Sequence, residues 1–383
     1  MKKRIVSIFL GVLIAICVIM PAREVFALSK NDKACEKAHV VADFNTGTII
    51  SSNRENERFP IASMVKITTL SIIFDAIDEG RISLNDEVTI SEYAFSMGGS
   101  QAFLDNGATY SVEELVKSVI VASANDSCVA LAEYLEGDVE AFVNKMNEMA
   151  RELGMENTRY ENCTGLPSEN AYSSASDVLK ITRYLMGHKK FFDYAKIWMY
   201  DLVHPSGRVT GLTNTNKLIR SFAGMDGGKT GYTDDALSCL SARATRGDTS
   251  LICVVIGAPS GKERNARVSA LLNEGFSNYS SYKVVEEGAE VDGLFDIKNG
   301  KELNVVGVYS KDIKTFGKKG ERKNFSRRVE IVKDKAPIVK NEVIAMEVIV
   351  DDEGTEYCVD ILAKSTVDVK SYKDFVDNFI VNW

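Results

Sequence analysis

Phe59-Pro60-Ile61-Ala62-Ser63-Met64-Val65-Lys66-Ile67-Thr68-Thr69-Leu70 is the stretch on which the reading of this 383-residue chain turns. Beyond Pro60 the apolar residues Ile67, Leu70, Phe74 and Ile77 recur at alternating three and four spacing, and Gly80 follows. That pattern predicts a helix over 63–79 with a glycine stop. Lys66 stands three positions after Ser63, so one helical turn brings its amine beside the hydroxyl, and a helix start favours negative charge developing on the serine. A serine hydroxyl is a poor nucleophile until a base takes its proton. The chain has only three histidines, His39, His188 and His204, and no G-x-S-x-G elbow, since Gly99-Ser100-Gln101-Ala102 lacks the second glycine. A lysine is therefore the candidate base. With an unperturbed pKa near 10.4, only about one lysine in 2500 is neutral at pH 7. Lys66 thus needs a depressed pKa, from burial and from a second cation.

Two further motifs follow in order, Ser123-Ala124-Asn125 and Lys229-Thr230-Gly231. Singly each is ordinary: a serine opening a helix is usually an N-cap, and Lys-Thr-Gly is usually a solvated turn. S-x-x-K even recurs at Ser280-Ser281-Tyr282-Lys283, with no long apolar helix after it and neither partner motif downstream. The ordered set, with the first motif opening an apolar helix and the third preceding apolar strands, reverses the bland reading. Lys229 is then the second cation, Ser123 a proton relay to the leaving group, and Asn125 a holder of a substrate amide. The backbone N–H groups of Ser63 and Tyr232 would form an oxyanion hole, worth roughly 3 kcal/mol per donor. His204, before Pro205, reads as a loop histidine.

Outward from these motifs, 39–43 and 48–50 flank Asn45-Thr46-Gly47 as a strand pair closed by a turn, and a helix is predicted over about 112–135. Residues 236–244 and 251–256 read as strands joined around Arg246-Gly247-Asp248, and 262–276 as a helix. Early strands, central helices and late strands make an α/β sandwich, expected over 28–282. From Lys283 short alternating runs such as Val329-Glu330-Ile331-Val332 mark a small all-β domain over 283–366. The N-terminus, with Lys2, Lys3 and Arg4 before an apolar run to Met20 and a small-residue site ending at Ala27, reads as a cleaved secretory signal over 1–27. The run falls short of a membrane span.

The net charge is −8, and residues 1–27 carry Lys2, Lys3, Arg4 and Arg23 against Glu24, which leaves about −11 without them. No basic stripe stands out, which argues against nucleic acid as a partner. Six cysteines follow the signal (Cys35, Cys128, Cys163, Cys239, Cys253, Cys358), none in a C-x-x-C pair, so the usual metal signature is missing. Disulfides and buried free thiols both fit.

With these residues on the page, the chain resembles the low-molecular-mass penicillin-binding proteins of the D-alanyl-D-alanine carboxypeptidase family, from about His39 to the end. The likeness extends to Met97-Gly98-Gly99-Ser100-Gln101, Asp226-Gly227-Gly228-Lys229-Thr230-Gly231-Tyr232-Thr233 and Ala336-Pro337-Ile338-Val339. The run Met97 to Gln101 is similar to the spore-associated Gram-positive branch. The resemblance implies a penicillin-binding-protein/β-lactamase-like sandwich, an antiparallel sheet with helices on both faces. It implies Ser63 as acyl-ester nucleophile, Lys66 as proton acceptor, Ser123 as second active-site serine, and Asn125, Lys229, Thr230, Gly231 and Tyr232 as substrate-binding. Arg264 matches the arginine that holds the terminal D-alanine carboxylate. It implies stem peptides of peptidoglycan ending in D-Ala-D-Ala as substrate, β-lactams as covalent inhibitors, no cofactor, and a place at the outer face of the cytoplasmic membrane or in the wall. Val65, Leu237 and Ala171 stand where the family usually has threonine, glycine and histidine.

A class A β-lactamase shares two of the motifs but needs a glutamate in an E-x-x-L-N loop, and 161–170 has no such pattern. A non-catalytic wall-binding protein would be expected to have lost Ser63 or Lys66. At the C-terminus, Tyr372, Phe375, Val376, Phe379, Ile380 and Trp383 fall on one helical face. Residues 367–383 are thus expected as an amphipathic helix lying on a membrane surface.

Overall fold

The computed structural model describes residues 36–321, 323–352 and 354–372. The signal expected over 1–27 and the apolar face from Phe375 to Trp383 lie outside the described residues. Five antiparallel strands form the main sheet: β1 (Ala38–Asp43), β2 (Ile49–Asn53), β3 (Met225–Thr233), β4 (Leu237–Arg246) and β5 (Thr249–Ala258). Their spatial order is β2-β1-β5-β4-β3, so the first strand of the chain pairs with one some two hundred residues later. The turn between β1 and β2 is fastened by Asp43, whose carboxylate accepts from the Thr46 N–H at 2.7 Å and its hydroxyl at 2.9 Å.

The central strands are apolar at successive positions because both faces of the sheet are covered. Val40, Ile252, Val254 and Ile256 face one core, with α1 (Lys66–Asp78) and α5 (Ala175–Leu185). Val41, Leu251, Cys253 and Val255 face the other, against Val268, Leu271 and Leu272 of α6 (Gly261–Asn278). This is the antiparallel α/β sandwich expected.

The helix predicted over 112–135 is two helices, α2 (Val112–Ala122) and α3 (Asn125–Glu136). Ser111 and Glu114 start α2 with a reciprocal capping box. Ser123 ends it in the left-handed conformation (φ +62°), and the Asn125 N–H is taken by the Ser100 carbonyl at 2.7 Å instead of continuing the helix. Between α3 and α5 lies α4 (Val139–Glu152), amphipathic, with Phe142 and Met146 in the core. His204 is a loop histidine as expected, between the strands Met199–Val203 and Val209–Thr213, and is buried there; its Nδ1 lies 2.7 Å from the Tyr110 hydroxyl and its Nε2 2.7 Å from that of Thr210.

From Tyr279 the chain is β-rich. β6 (Tyr279–Val285) pairs with β8 (Ile313–Lys318), while β7 (Gly307–Tyr309), β9 (Phe325–Ile331), β10 (Val343–Asp351) and β11 (Glu356–Ala363) form a sheet ordered β7-β11-β10-β9. Its core gathers Ile338, Ile344, Ile349, Val359 and Ile361. Phe316 stacks on Tyr279 at 5.5 Å and packs into the core beneath α6, and Lys314 pairs with Asp248 at 2.7 Å. The start of the helix expected over 367–383 is extended chain: Val367 is buried and bridges Ile338, and Val369 bridges Gly300. No helix among the described residues is long and apolar enough to cross a membrane.

Candidate active site

Ser63 lies in a 3-10 turn, Ala62–Val65, that runs directly into α1; regular helix begins only at Lys66, later than the spacing predicted. Its hydroxyl makes no helix-capping bond, so it stays available. The preceding residue, Ala62, is held at φ +47°, a conformation that costs a residue with a Cβ and persists where surrounding structure enforces it. Two glycines supply the enforcement. A Cβ on Gly165 (φ +79°) would fall 2.1 Å from the Ala62 carbonyl oxygen and 2.9 Å from the Ser63 nitrogen; one on Gly231 would fall 2.6 Å from the Ile61 oxygen. The Ser63 turn is thereby clamped between the 161–172 loop and β3.

Lys66 is wholly buried. Its Nζ lies 3.2 Å from Ser63 Oγ and donates to Asn125 Oδ1 at 2.6 Å and to the Thr164 carbonyl at 2.5 Å. Burial holds the amine below its ordinary pKa, opposed by the neighbouring Cys128, Cys163 and Asp126. Lys229, the second cation, is itself pushed well below its ordinary value by burial first, then by Lys66 and Arg264.

Lys229 Nζ donates to Ser123 Oγ at 2.7 Å and to the Thr230 carbonyl at 3.0 Å. Among the described residues no hydrogen bond joins Ser123 to Lys66; the partner of the second serine is Lys229. Asn125 is buried, gripping Lys66 with its oxygen and the Gly98 carbonyl with its nitrogen at 2.7 Å, which leaves one amide hydrogen for a substrate. Thr230 donates its hydroxyl to Thr215 at 2.7 Å, Gly231 is buried, and the Tyr232 side chain is open to solvent. Arg264, in the first turn of α6, is 8% exposed; it donates to the Cys239 carbonyl at 3.3 Å and to Asn265 Oδ1 at 2.9 Å, and no acidic side chain pairs with it among the described residues. Motifs 166 residues apart, from Ser63 to Lys229 (229 − 63), thus meet beside β3. Among the described residues no cluster of His, Cys, Asp or Glu could hold a metal ion.

A D-alanyl-D-alanine carboxypeptidase family profile matches residues 25–260, and the C-terminal domain of penicillin-binding protein 5 matches residues 279–369. The chain belongs to the D-alanyl-D-alanine carboxypeptidase family. It is 37% identical to the D-alanyl-D-alanine carboxypeptidase DacF of Bacillus subtilis over 96% of this chain and 94% of that one. It is 33% identical to the carboxypeptidase DacA of Haemophilus influenzae over 80% and 79%. The crystal structure of penicillin binding protein 5 from Haemophilus influenzae superposes with a TM-score of 0.69 at 29% identity, covering 89% of this chain and all of that one.

Within this carboxypeptidase-family chain the departures can be placed. Leu237 adopts φ +59°, the left-handed region glycine prefers, so leucine there carries local strain. Val65 is buried, and it and Ala171 line a cleft of about 490 Å³ beside the Ser63 turn. Three groups at the site escaped sequence reasoning. The Thr164 carbonyl is a main-chain atom with no side-chain signature. Asp126, next to a motif residue, is buried and accepts from the Ala102 and Leu104 N–H groups, holding the wall opposite. Cys128 and Cys163, both free, flank Lys66, with the Cys128 thiol donating to the Cys163 carbonyl at 3.0 Å. In the 161–170 loop Glu161 accepts from the Asn170 N–H while a carbonyl, not a carboxylate, meets the lysine.

Proposed function

We propose that Ser63 attacks the carbonyl between the last two D-alanines of a peptidoglycan stem peptide, forming an acyl-enzyme that water releases, so that one D-alanine leaves. The observation that carries this reading is the environment of Lys66 Nζ. Lys66 Nζ lies 3.2 Å from Ser63 Oγ and donates to Asn125 and Thr164; once neutral it keeps two hydrogens for those two acceptors and has its lone pair left for the Ser63 hydroxyl. That is the geometry of a general base on the nucleophile. The Ser63 proton passes to Lys66, and Oγ bonds to the carbonyl carbon. The oxyanion is received by the Ser63 and Tyr232 N–H groups. The C–N bond then breaks, and Lys66 hands the Ser63 proton to the departing amine by way of the Ser123 hydroxyl, whose oxygen Lys229 holds. Lys66, neutral again, activates the water. Arg264 receives the terminal carboxylate. A strained β-lactam amide acylates the same serine. The work is extracytoplasmic, on the wall, with the C-terminal segment resting on the membrane surface.

Mass spectrometry of a defined pentapeptide after incubation tests the reaction: loss of one D-alanine is expected, and cross-linked dimer in its place would make the chain a transpeptidase. Penicillin is expected to add covalently at Ser63 and to leave Ser63→Ala unlabelled. An adduct mapped elsewhere overturns the nucleophile.

A further inference from the structure

We infer that Asn162 is a positioning residue for the proposed base: by gripping one peptide unit of the 161–172 loop it aims the Thr164 carbonyl at Lys66, and so fixes which way the lysine lone pair points. The inference rests on the reading of Lys66 as the base that activates Ser63. The Thr164 carbonyl and the Gly165 N–H belong to one planar trans peptide, so they point in opposite directions and fixing one fixes the other. Lys66 Nζ meets the carbonyl end at 2.5 Å, and Asn162 Oδ1 accepts from the N–H end at 2.6 Å. The same oxygen takes the Thr164 N–H and the Thr164 hydroxyl, both at 3.1 Å, while Asn162 Nδ2 donates to the Leu166 carbonyl at 3.0 Å. The whole turn is thus tied around one side chain of the kind that closes turns on its own backbone.

Gly165 cannot do this for itself. It sits at φ +79°, and a Cβ there would strike the Ala62 carbonyl, so no side chain can stiffen the position. Glycine leaves the peptide before it free to turn over at little steric cost. Turned over, that unit would show Lys66 the Gly165 N–H, a donor facing a donor, and the amine would keep Asn125 alone as acceptor. Its second hydrogen would then compete for Ser63 Oγ, and the lone pair would no longer be held toward the hydroxyl. The carbonyls on either side are already engaged: that of Cys163 accepts from Thr69 Oγ1 at 2.8 Å and Cys128 Sγ at 3.0 Å, and that of Leu166 from Asn162. The loop therefore serves the lysine through the one peptide that Asn162 holds.

The test follows the first-order rate of Ser63 acylation by penicillin, resolved from the initial binding constant, in the native protein, Asn162→Ala and Asn162→Asp. Rates are read on the high-pH plateau, where the amine is neutral even though a carboxylate at position 162 favours its ammonium form. Asn162→Ala is expected to acylate about ten- to a hundredfold more slowly, the cost of a misaimed reacting group, with initial binding changed by no more than about twofold. Asn162→Asp keeps an oxygen for the Gly165 N–H and is expected to stay within about threefold of the native rate. A folded alanine variant that acylates at the native rate, or that loses binding as much as acylation, overturns the inference while leaving Lys66 as the base. So does a folded aspartate variant slowed by about tenfold or more, a result that decides the matter even where the alanine variant fails to fold. A native protein that penicillin does not label at Ser63 overturns the reading of the site itself, and the inference with it.

Discussion

Lys66 and Arg264 are both cations taken out of water, and the protein treats them differently. Lys66 has its acceptors arranged so that losing a proton leaves every remaining hydrogen bonded; burial favours that loss and holds its pKa down. Since the neutral form is the proposed base, penicillin acylation is expected to rise with pH through an apparent pKa below 10.5 and to fall as acid protonates the amine. Stopped-flow acylation rates across pH check this; a midpoint at or above the ordinary lysine value contradicts it. Arg264 cannot lose its proton and has carbonyl and amide partners but no carboxylate among the described residues. Its planar fork suits a carboxylate in a way an ammonium does not. Arg264→Ala is accordingly expected to cost about ten- to a hundredfold in kcat/KM on a peptide with a free C-terminus, as loss of a hydrogen bond to a charge would. Little loss is expected on the C-terminally amidated peptide. Equal losses on both would remove the arginine from this role.

At the scale of elements, the break between α2 and α3 is what brings the second serine into the site. An uninterrupted helix over 112–135 would carry residues 123 and 125 to opposite sides, since residues two apart do not share a helical face. With the left-handed turn at Ser123, its hydroxyl meets Lys229 and Asn125 meets Lys66. The apolar periodicity on either side was legible, and so were the motif and its chemistry. The break was not, because Ser-Ala-Asn contains neither proline nor glycine, and what bends the chain is a carbonyl at Ser100, more than twenty residues away. The same limit hid Thr164, which acts through its main chain. Comparing Ser123→Ala with Ser123→Gly isolates the turn. Both lack the hydroxyl and are expected to lose turnover alike, while the glycine variant is expected to be more stable by about 1 kcal/mol in urea unfolding because it relieves the positive φ. If the two unfold together, the turn carries no strain.

For the molecule as a whole, the chain leaves the β domain at Val369, bridged to Gly300, and enters the segment proposed to rest on the membrane. Ending the chain before Ser371 keeps the domain core through Val367 and is expected to move active enzyme from the membrane fraction to the soluble one. A truncated protein that still pellets with membranes, or a full chain that never does, refutes the anchor. The order of strands across the main sheet has a consequence in time as well as in space. β1 is buried along its whole length, yet its neighbour β5 is not synthesised until about two hundred residues later. Until then the opening hairpin presents an apolar edge with nothing to pair with, the kind of surface that invites aggregation and long-range closure that is slow. Penicillin labelling of Ser63, the proposed nucleophile, is therefore expected only after β3 and β5 have been added, which would make it a clock for closure of the main sheet as well as a stain for the active site.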